Sequence, residues 1–243
     1  MSTAATDRAS AARRARIRRI AGLYAVTPDL ADTADLVARV VAAIAGGASV
    51  VQYRNKAVDA ATRRIQAAAV ARACAARGAL CVVNDHAELA ASVEADGVHL
   101  GEDDGDITAA RRKLGPDRII GVSCYNEYER APAAIAAGAD YVAFGSFFPS
   151  GVKPDARRAA PILLARARDL GVPVVAIGGI TAANASDLIG SGADALAVIT
   201  AVFGGPDPAG VEIAAHAISE AIDRARSSFD RSRVSIDQAH AKP

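Results

Sequence analysis

Short apolar runs rich in Val, Ile and Ala alternate eight times with longer segments of helical periodicity. The predicted strands are Leu23–Thr27, Ser49–Arg54, Leu80–Asn84, Gly97–Leu100, Ile119–Ser123, Tyr141–Gly145, Val174–Gly178 and Ala195–Thr200. The predicted helices lie near residues 32–45, 58–77, 86–93, 106–114, 127–137, 156–170, 182–190 and 208–226. This alternation indicates parallel strands joined by crossover helices, and eight such units predict a closed α/β fold, the (β/α)₈ TIM barrel.

A recurring signal lies just before several predicted strands. Ala95-Asp96-Gly97, Gly138-Ala139-Asp140 and Gly192-Ala193-Asp194 each combine glycine with aspartate. Glycine can end a helix in the left-handed conformation, and aspartate can terminate the following turn, so these are scaffold signals at the amino-terminal end of a barrel. The first strand runs into Thr27-Pro28 without the glycine-rich fingerprint of a doubly wound open sheet, which disfavours that alternative.

The chain divides into one predicted domain and two flanking segments. Residues 23–226 contain no linker-like stretch and predict a single barrel. Residues 1–22 carry six arginines against one aspartate, which is typical of a frayed tail or short helix. A transit peptide has a similar composition, but the Arg/Ala bias continues throughout the chain. Residues 227–243 are expected to form a polar, disordered tail.

Composition narrows the functional classes. The net charge is +1, and 51% of residues are hydrophobic, which gives no global field for nucleic acid or a membrane surface. No apolar run reaches about 18 residues, and no signal peptide is evident. The three cysteines lack CxxC spacing, which indicates reduced thiols in a cytoplasmic protein. The four histidines show no zinc-ligand spacing and are interpreted as surface or packing residues. The sequence does not indicate whether the chain forms a homo-oligomer.

Cationic residues gather where predicted strands end. Gln52, Arg54 and Lys56 lie two residues apart, so an extended chain points all three to one side. The arginine offers a planar fork for phosphate oxygens, and the lysine is a compact point charge. Lys153 follows the sixth strand in the same way. Loops at the carboxyl ends of barrel strands carry function, so these residues predict an anion site.

Carboxylates and glycines follow other strands. Asp85 and Asp104 come after adjacent strands and could place oxygen ligands on one Mg²⁺, although the acidic run 102–104 could equally be a solvated loop. Gly178-Gly179 and Ile199-Thr200 follow the last two strands, where barrels often bind a phosphate monoester. These residues suggest a diphosphate with Mg²⁺ over strands 2 to 4 and a monophosphate over strands 7 and 8.

In their order along the chain, the motifs resemble the thiamine phosphate synthase family, also called thiamine-phosphate pyrophosphorylase. The resemblance extends from Leu23 to Ala201. It rests on Gln52-Tyr-Arg-Asn-Lys56, Val83-Asn-Asp85, Asp96-Gly-Val-His-Leu-Gly101, Gly121-Val-Ser123, Phe144-Gly-Ser-Phe-Phe-Pro149, Lys153 and Ala176-Ile-Gly-Gly-Ile180.

The resemblance implies that 4-amino-2-methyl-5-hydroxymethylpyrimidine diphosphate condenses with a thiazole phosphate, giving thiamine phosphate and diphosphate by a dissociative, Mg²⁺-assisted substitution. It implies substrate contacts from Gln52, Tyr53, Arg54, Asn55, Lys56, Asn84, Ser123, Ser150, Gly151, Val152, Lys153, Gly179, Ile199 and Thr200. Catalytic roles fall to Arg54, Lys56, Ser123 and Lys153, and the metal to Asp85 and Asp104.

Some positions depart from the family pattern. Asn55 stands where glutamate is more frequent, and its odd offset predicts that it faces away from the barrel mouth. The loop Pro149-Ser-Gly-Val-Lys153 lacks two threonine hydroxyls of the family. A thiazole tautomerase on the same barrel is one alternative, but its histidine is replaced by Tyr125. A non-catalytic phosphate-binding barrel is another.

Overall fold

A computed structural model describes residues 11–102, 104–149, 151 and 157–240. Eight parallel strands close into a barrel in sequential order. The strands are β1 Gly22–Val26, β2 Ala48–Tyr53, β3 Leu80–Asn84, β4 Gly97–Leu100, β5 Ile119–Tyr125, β6 Tyr141–Gly145, β7 Val174–Ile177 and β8 Ala195–Val198. The predicted (β/α)₈ TIM barrel is confirmed.

Helices connect the strands and cover the outside of the barrel. They are α1 (residues 11–17), α2 Thr33–Ala45, α3 Ala60–Arg77, α4 Ala87–Ser92, α5 Ile107–Leu114, α6 Arg130–Ala136, α7 Ile162–Ala167, α8 Ala185–Ser191, α9 Thr200–Phe203 and α10 Pro208–His240, with a 3₁₀ turn at Arg168–Leu170. No helix in the described part of the chain is long and apolar enough to cross a membrane.

Several element boundaries differ from the sequence prediction. The fifth strand continues two residues past Ser123, whereas the eighth ends at Val198 because Thr200 already begins α9. The seventh helix starts at Ile162 rather than at 156. The final helix continues to His240 instead of ending at 226, so most of the segment predicted as a disordered tail is helical. The division into tail, barrel and tail stays a prediction, and residues 1–10 lie outside the described residues.

The alternation of side chains along each strand separates two kinds of core. Tyr24, Val50, Val82, Tyr141 and Val175 belong to a cluster inside the barrel. The intervening residues pack outward against the helices in two further clusters. Residues i and i+2 of a strand share a face, which is why one set fills the barrel and the other holds the helices.

Aspartates stabilise the turns at the amino-terminal end of the barrel. Asp96, Asp140 and Asp194 accept hydrogen bonds from the backbone N–H groups of strand residues at 2.9, 2.8 and 2.8 Å, respectively. Two of them also pair with arginines of the amino-terminal segment: Arg13 Nε lies 2.6 Å from Asp140 Oδ1, and Arg16 Nε lies 2.8 Å from Asp96 Oδ1. Part of the basic segment is therefore attached to the barrel end opposite the site described next.

Candidate active site

A cavity of about 350 Å³ opens at the carboxyl ends of the strands. Five of the predicted site residues line it together: Gln52, Arg54, Asn84, Ser123 and Ile199. They come from four different strands or the loops that follow them. The carboxyl ends of parallel strands meet at one mouth, so the barrel itself brings together residues that are far apart in sequence.

Side-chain alternation along β2 separates the predicted motif into two sets. Gln52 and Arg54 face the cavity. Tyr53 turns toward α3, where its hydroxyl donates to Gln66 Oε1 at 3.0 Å. The Asn55 amide donates to the same oxygen at 2.9 Å, and both side chains are buried there. The structure therefore does not bring the side chains of Tyr53 and Asn55 into the cavity with Gln52 and Arg54.

The cations after β2 are oriented by carboxylates. Asp29 accepts from Arg54 Nη1 at 3.3 Å and from the backbone N–H of Lys56 at 2.7 Å. The Lys56 ammonium lies 3.2 Å from Asp85 Oδ2. Sequence reasoning missed Asp29, whose only signal is a carboxylate placed soon after the first strand. These contacts hold two positive groups near the rim before any ligand arrives.

Two carboxyl groups lie side by side at the rim. Burial, and then a hydrogen bond to Asp85, raise the pKa of Asp104. The Gly101 N–H donates to Asp104 Oδ2 at 2.8 Å and opposes that rise. Burial and the neighbouring carboxyl group both disfavour the charged form of Asp104. A divalent cation would favour that charged form, and Mg²⁺ typically takes one or two carboxylates and completes its shell with water and phosphate.

Within the described residues, no group of three or more His, Cys, Asp or Glu side chains is arranged to hold a metal ion. The pair Asp85 and Asp104 thus fits a metal shared with a phosphate ligand better than an all-protein cage. The predicted Mg²⁺ site stays a prediction.

The loops after β7 and β8 form a second hollow of about 340 Å³. Gly151, Gly179, Ile199 and Thr200 line it, as predicted for one phosphate end. Gly179 has a φ of +64°, and a Cβ there would lie 2.3 Å from the Pro149 carbonyl oxygen, so only glycine fits. Ser150, Val152 and Lys153 were predicted to contact substrate and lie outside the described residues.

A chain of hydrogen bonds runs through the side chains that line the cavity floor. Gln52 Nε2 is 2.8 Å from the Tyr24 hydroxyl, which is 2.8 Å from the Tyr141 hydroxyl. His99 Nδ1 lies 3.1 Å from Tyr141, and His99 Nε2 lies 2.9 Å from Ser123 Oγ. Burial lowers the pKa of His99 to about 4, so the imidazole is neutral at pH 7. Sequence reasoning missed both tyrosines and treated His99 as a packing residue.

The aromatic ring of Tyr125 at the rim contacts two further cationic side chains. The guanidinium carbons of Arg130 and Arg157 lie 5.5 and 5.8 Å from the centroid of Tyr125. Arg157 also lines the main cavity, which the sequence did not indicate because arginine is abundant throughout the chain. The Tyr125 hydroxyl accepts from the backbone N–H of Glu102 at 3.1 Å. A third positive group is therefore available on the side of the mouth opposite β2.

Comparison with known proteins gives a consistent result. Residues 23–202 match the family described as Thiamine monophosphate synthase. The chain is 57% identical to the thiamine-phosphate synthase of Chromobacterium violaceum over 191 residues, which cover 79% of this chain and 92% of that protein. It is 55% identical to the thiamine-phosphate synthase of Aromatoleum aromaticum over 191 residues, covering 78% and 92%. The solved thiamine phosphate pyrophosphorylase from Pyrococcus furiosus superposes with a TM-score of 0.75 at 34% identity, covering 86% of this chain and 98% of that one.

Proposed function

The chain belongs to the thiamine monophosphate synthase family, and on this premise we propose that it condenses 4-amino-2-methyl-5-hydroxymethylpyrimidine diphosphate with a thiazole phosphate. The products are thiamine phosphate and diphosphate. The observation that supports this most strongly is the convergence of Gln52, Arg54, Asn84 and Ser123 on one cavity, with Lys56 beside the carboxylate pair at its rim.

The positive groups lie where the leaving group would gain charge. The bond between the pyrimidine methylene carbon and the diphosphate oxygen breaks, and its electron pair leaves with the diphosphate. Arg54 and Lys56 then contact an anion that is more negative than in the ground state. Groups that bind the transition state better than the substrate lower the barrier, and their fixed orientation removes the cost of reorganisation.

Asp85 and Asp104 would hold a Mg²⁺ ion, which supplies charge neutralisation on the diphosphate when it is bound. The Lys56 ammonium lies against Asp85, which places it at the diphosphate end of the site. Its side chain is 56% exposed, which leaves it free to turn from the carboxylate toward a phosphate oxygen.

The departure of diphosphate leaves a carbocation that the aminopyrimidine ring stabilises. The lone pair of the thiazole nitrogen captures it and forms the new C–N bond. This chemistry needs neither a protein nucleophile nor a strong general base, and the neutral His99 in the cavity lining is engaged on both ring nitrogens. The hollow lined by Gly179 and Thr200 would receive the thiazole phosphate, since its backbone permits close approach.

The test is a two-substrate assay. Purified protein is mixed with the pyrimidine diphosphate, the thiazole phosphate and Mg²⁺, and thiamine phosphate and released diphosphate are measured. Equal amounts of both products are expected only when all three additions are present. Conversion of the thiazole alone, without diphosphate release, would contradict the proposal and favour the tautomerase alternative.

A further inference from the structure

Five residues that line the cavity form one unbranched chain of hydrogen bonds, called here the polar relay: Gln52, Tyr24, Tyr141, His99 and Ser123. Its two ends come from β2 and β5 and reach the cavity from different sides of the barrel. Its middle is buried: Tyr24 is 1% exposed, Tyr141 is 0% and His99 is 9%. A buried polar group without a partner is costly, so each hydrogen in the relay must find an acceptor.

The orientation of the Gln52 amide, with its nitrogen toward Tyr24, sets the direction of every bond. The Gln52 Nε2 group can only donate, so the Tyr24 oxygen accepts from it. Tyr24 has one hydrogen, which goes to Tyr141, and Tyr141 in turn gives its hydrogen to His99 Nδ1. The neutral imidazole then carries its proton on Nε2 and donates to Ser123 Oγ.

With the Gln52 nitrogen toward Tyr24, the opposite arrangement cannot satisfy the same groups. An imidazolium, or an imidazole with its proton on Nδ1, would donate to Tyr141 and direct the Tyr141 hydrogen at Tyr24. Tyr24 would then accept from both neighbours, and its own hydrogen would have no acceptor within the relay. In the low dielectric of the barrel interior this unpaired donor is strongly disfavoured.

From this direction we infer that the polar relay determines which hydrogen-bonding atoms the cavity presents to its ligand: an acceptor at Gln52 and a donor at Ser123. The Gln52 Oε1 atom has no hydrogen-bond partner in the described part of the chain, and the Ser123 hydrogen is not used by the relay. Tyr24, Tyr141 and His99 also line the cavity. Their hydrogen bonds are used within the relay, so they are positioning residues that act through the free acceptor and donor at its two ends.

This inference rests on the proposed function for the identity of the ligand. The aminopyrimidine ring has an exocyclic amino group that donates and ring nitrogens that accept, so it complements an acceptor on one side and a donor on the other. In a 4-oxo analogue a carbonyl oxygen replaces the amino group, so two hydrogen-bond acceptors, this oxygen and Gln52 Oε1, would face each other. A site built around such a hydrogen bond rejects the wrong partner strongly, because its buried polar groups are left unpaired.

The tautomer of His99 tests the direction on the protein as it exists. Long-range ¹H–¹⁵N spectra of the histidine rings distinguish Nε2–H, Nδ1–H and imidazolium forms, and a His99→Gln variant assigns the signals. The Nε2–H form is expected at pH 7. Either of the other forms would overturn the inference, and this result does not depend on which reaction the protein catalyses.

Kinetics with Tyr141→Phe test the consequence for recognition. The substitution removes the central hydroxyl and keeps the ring, so the expected effect is a rise of roughly ten- to a hundredfold in KM for the pyrimidine diphosphate, with kcat and the KM of the thiazole phosphate little changed. The preference for the 4-amino over the 4-oxo diphosphate should collapse as well. Tyr128→Phe is the matched control, because this ring packs under Arg166 away from the cavity.

The outcomes separate the two proposals. A wild-type protein that releases no diphosphate would refute the proposed function while the tautomer still tests the relay. An active enzyme in which Tyr141→Phe keeps both the KM and the amino preference would refute the relay alone. If Tyr141→Phe does not fold, Gln52→Glu takes its place: a carboxylate can only accept from Tyr24, so His99 should switch to Nδ1–H, and an unchanged tautomer would refute the inference.

Discussion

A substitution at Asp140 tests whether the amino-terminal end of the barrel contributes to stability while the carboxyl-terminal end carries the activity. The Asp140 carboxylate is 2% exposed and sits at the end opposite the cavity. One oxygen accepts from Arg13 Nε at 2.6 Å; the other accepts from Arg111 Nη2 at 2.6 Å and from the Ile120 N–H at 2.8 Å. Asp140→Ala removes all three bonds, so one buried N–H and two half-buried guanidinium groups lose this acceptor.

The loss can be estimated from what remains. Breaking a buried ion pair by deleting one partner typically costs about 3–5 kcal/mol. Arg111 keeps backbone acceptors at Gly115 and Gly138, at 3.2 and 3.3 Å, which places Asp140→Ala near the lower limit, about 3 kcal/mol. For a chain of this size each kcal/mol lowers Tm by roughly 2–4 °C, so a fall of about 6–12 °C is expected.

Urea unfolding and thermal melts measure this loss, and Asp194→Ala is the matched control. Asp194 occupies the equivalent turn, but among the residues that the structure describes its side chain accepts only the Val174 N–H, at 2.8 Å, so its loss should be about 1 kcal/mol. At 20 °C, kcat/KM of Asp140→Ala should equal that of wild type, because the cavity lies at the other end. Equal destabilisation by the two variants, or a changed kcat/KM, would refute the reasoning.

Three further predictions concern the site. Arg54→Ala should lower kcat for diphosphate release by roughly 10²–10³, whereas Arg72→Ala, on the exposed face of α3, should not; equal rates would remove Arg54 from the mechanism. The pKa of Asp104 is raised in the folded protein. Its protonated carboxyl group therefore contributes fully to folding stability below pH 3.8, the ordinary pKa, and this contribution is lost as the pH rises through the raised pKa. Without Mg²⁺, Asp104→Asn should therefore melt above wild type at pH 8, and added Mg²⁺ should stabilise only wild type; a variant still stabilised by Mg²⁺ would contradict the metal assignment. Gly179→Ala should raise KM for the thiazole phosphate by steric conflict with Pro149, whereas Gly190→Ala, with open space around its Cβ, should not.

Local rules predicted much of this molecule. Strand periodicity placed Gln52 and Arg54 on one face of β2, and the structure confirms that both line the cavity. The same rule places Tyr53 and Asn55 on the outer face, so the motif could not contact substrate through all its side chains. In the described part of the chain, periodicity is therefore sufficient wherever one strand alone decides the direction of a side chain.

The contacts that the sequence did not predict depend on how the barrel closes. Tyr24 and Tyr141 are 117 residues apart, and their hydroxyls meet only because strands β1 and β6 face each other across the interior. Asp29 reaches Arg54 through the conformation of a loop that has no periodicity to read. Contacts of this kind depend on the tertiary arrangement, so no pattern within a single segment could have revealed them.

The course of α10 has a practical consequence. The helix begins after β8 near the mouth, and by Arg226 it has reached the far end, where that side chain donates to the Asp194 carbonyl. The remaining 14 residues of the helix extend roughly 20 Å further along its axis. The amino-terminal helix docks at the same end through Arg13 and Arg16. A surface linker attached at the described end of α10 would therefore leave the mouth facing open solution, which makes the protein suited to oriented immobilisation.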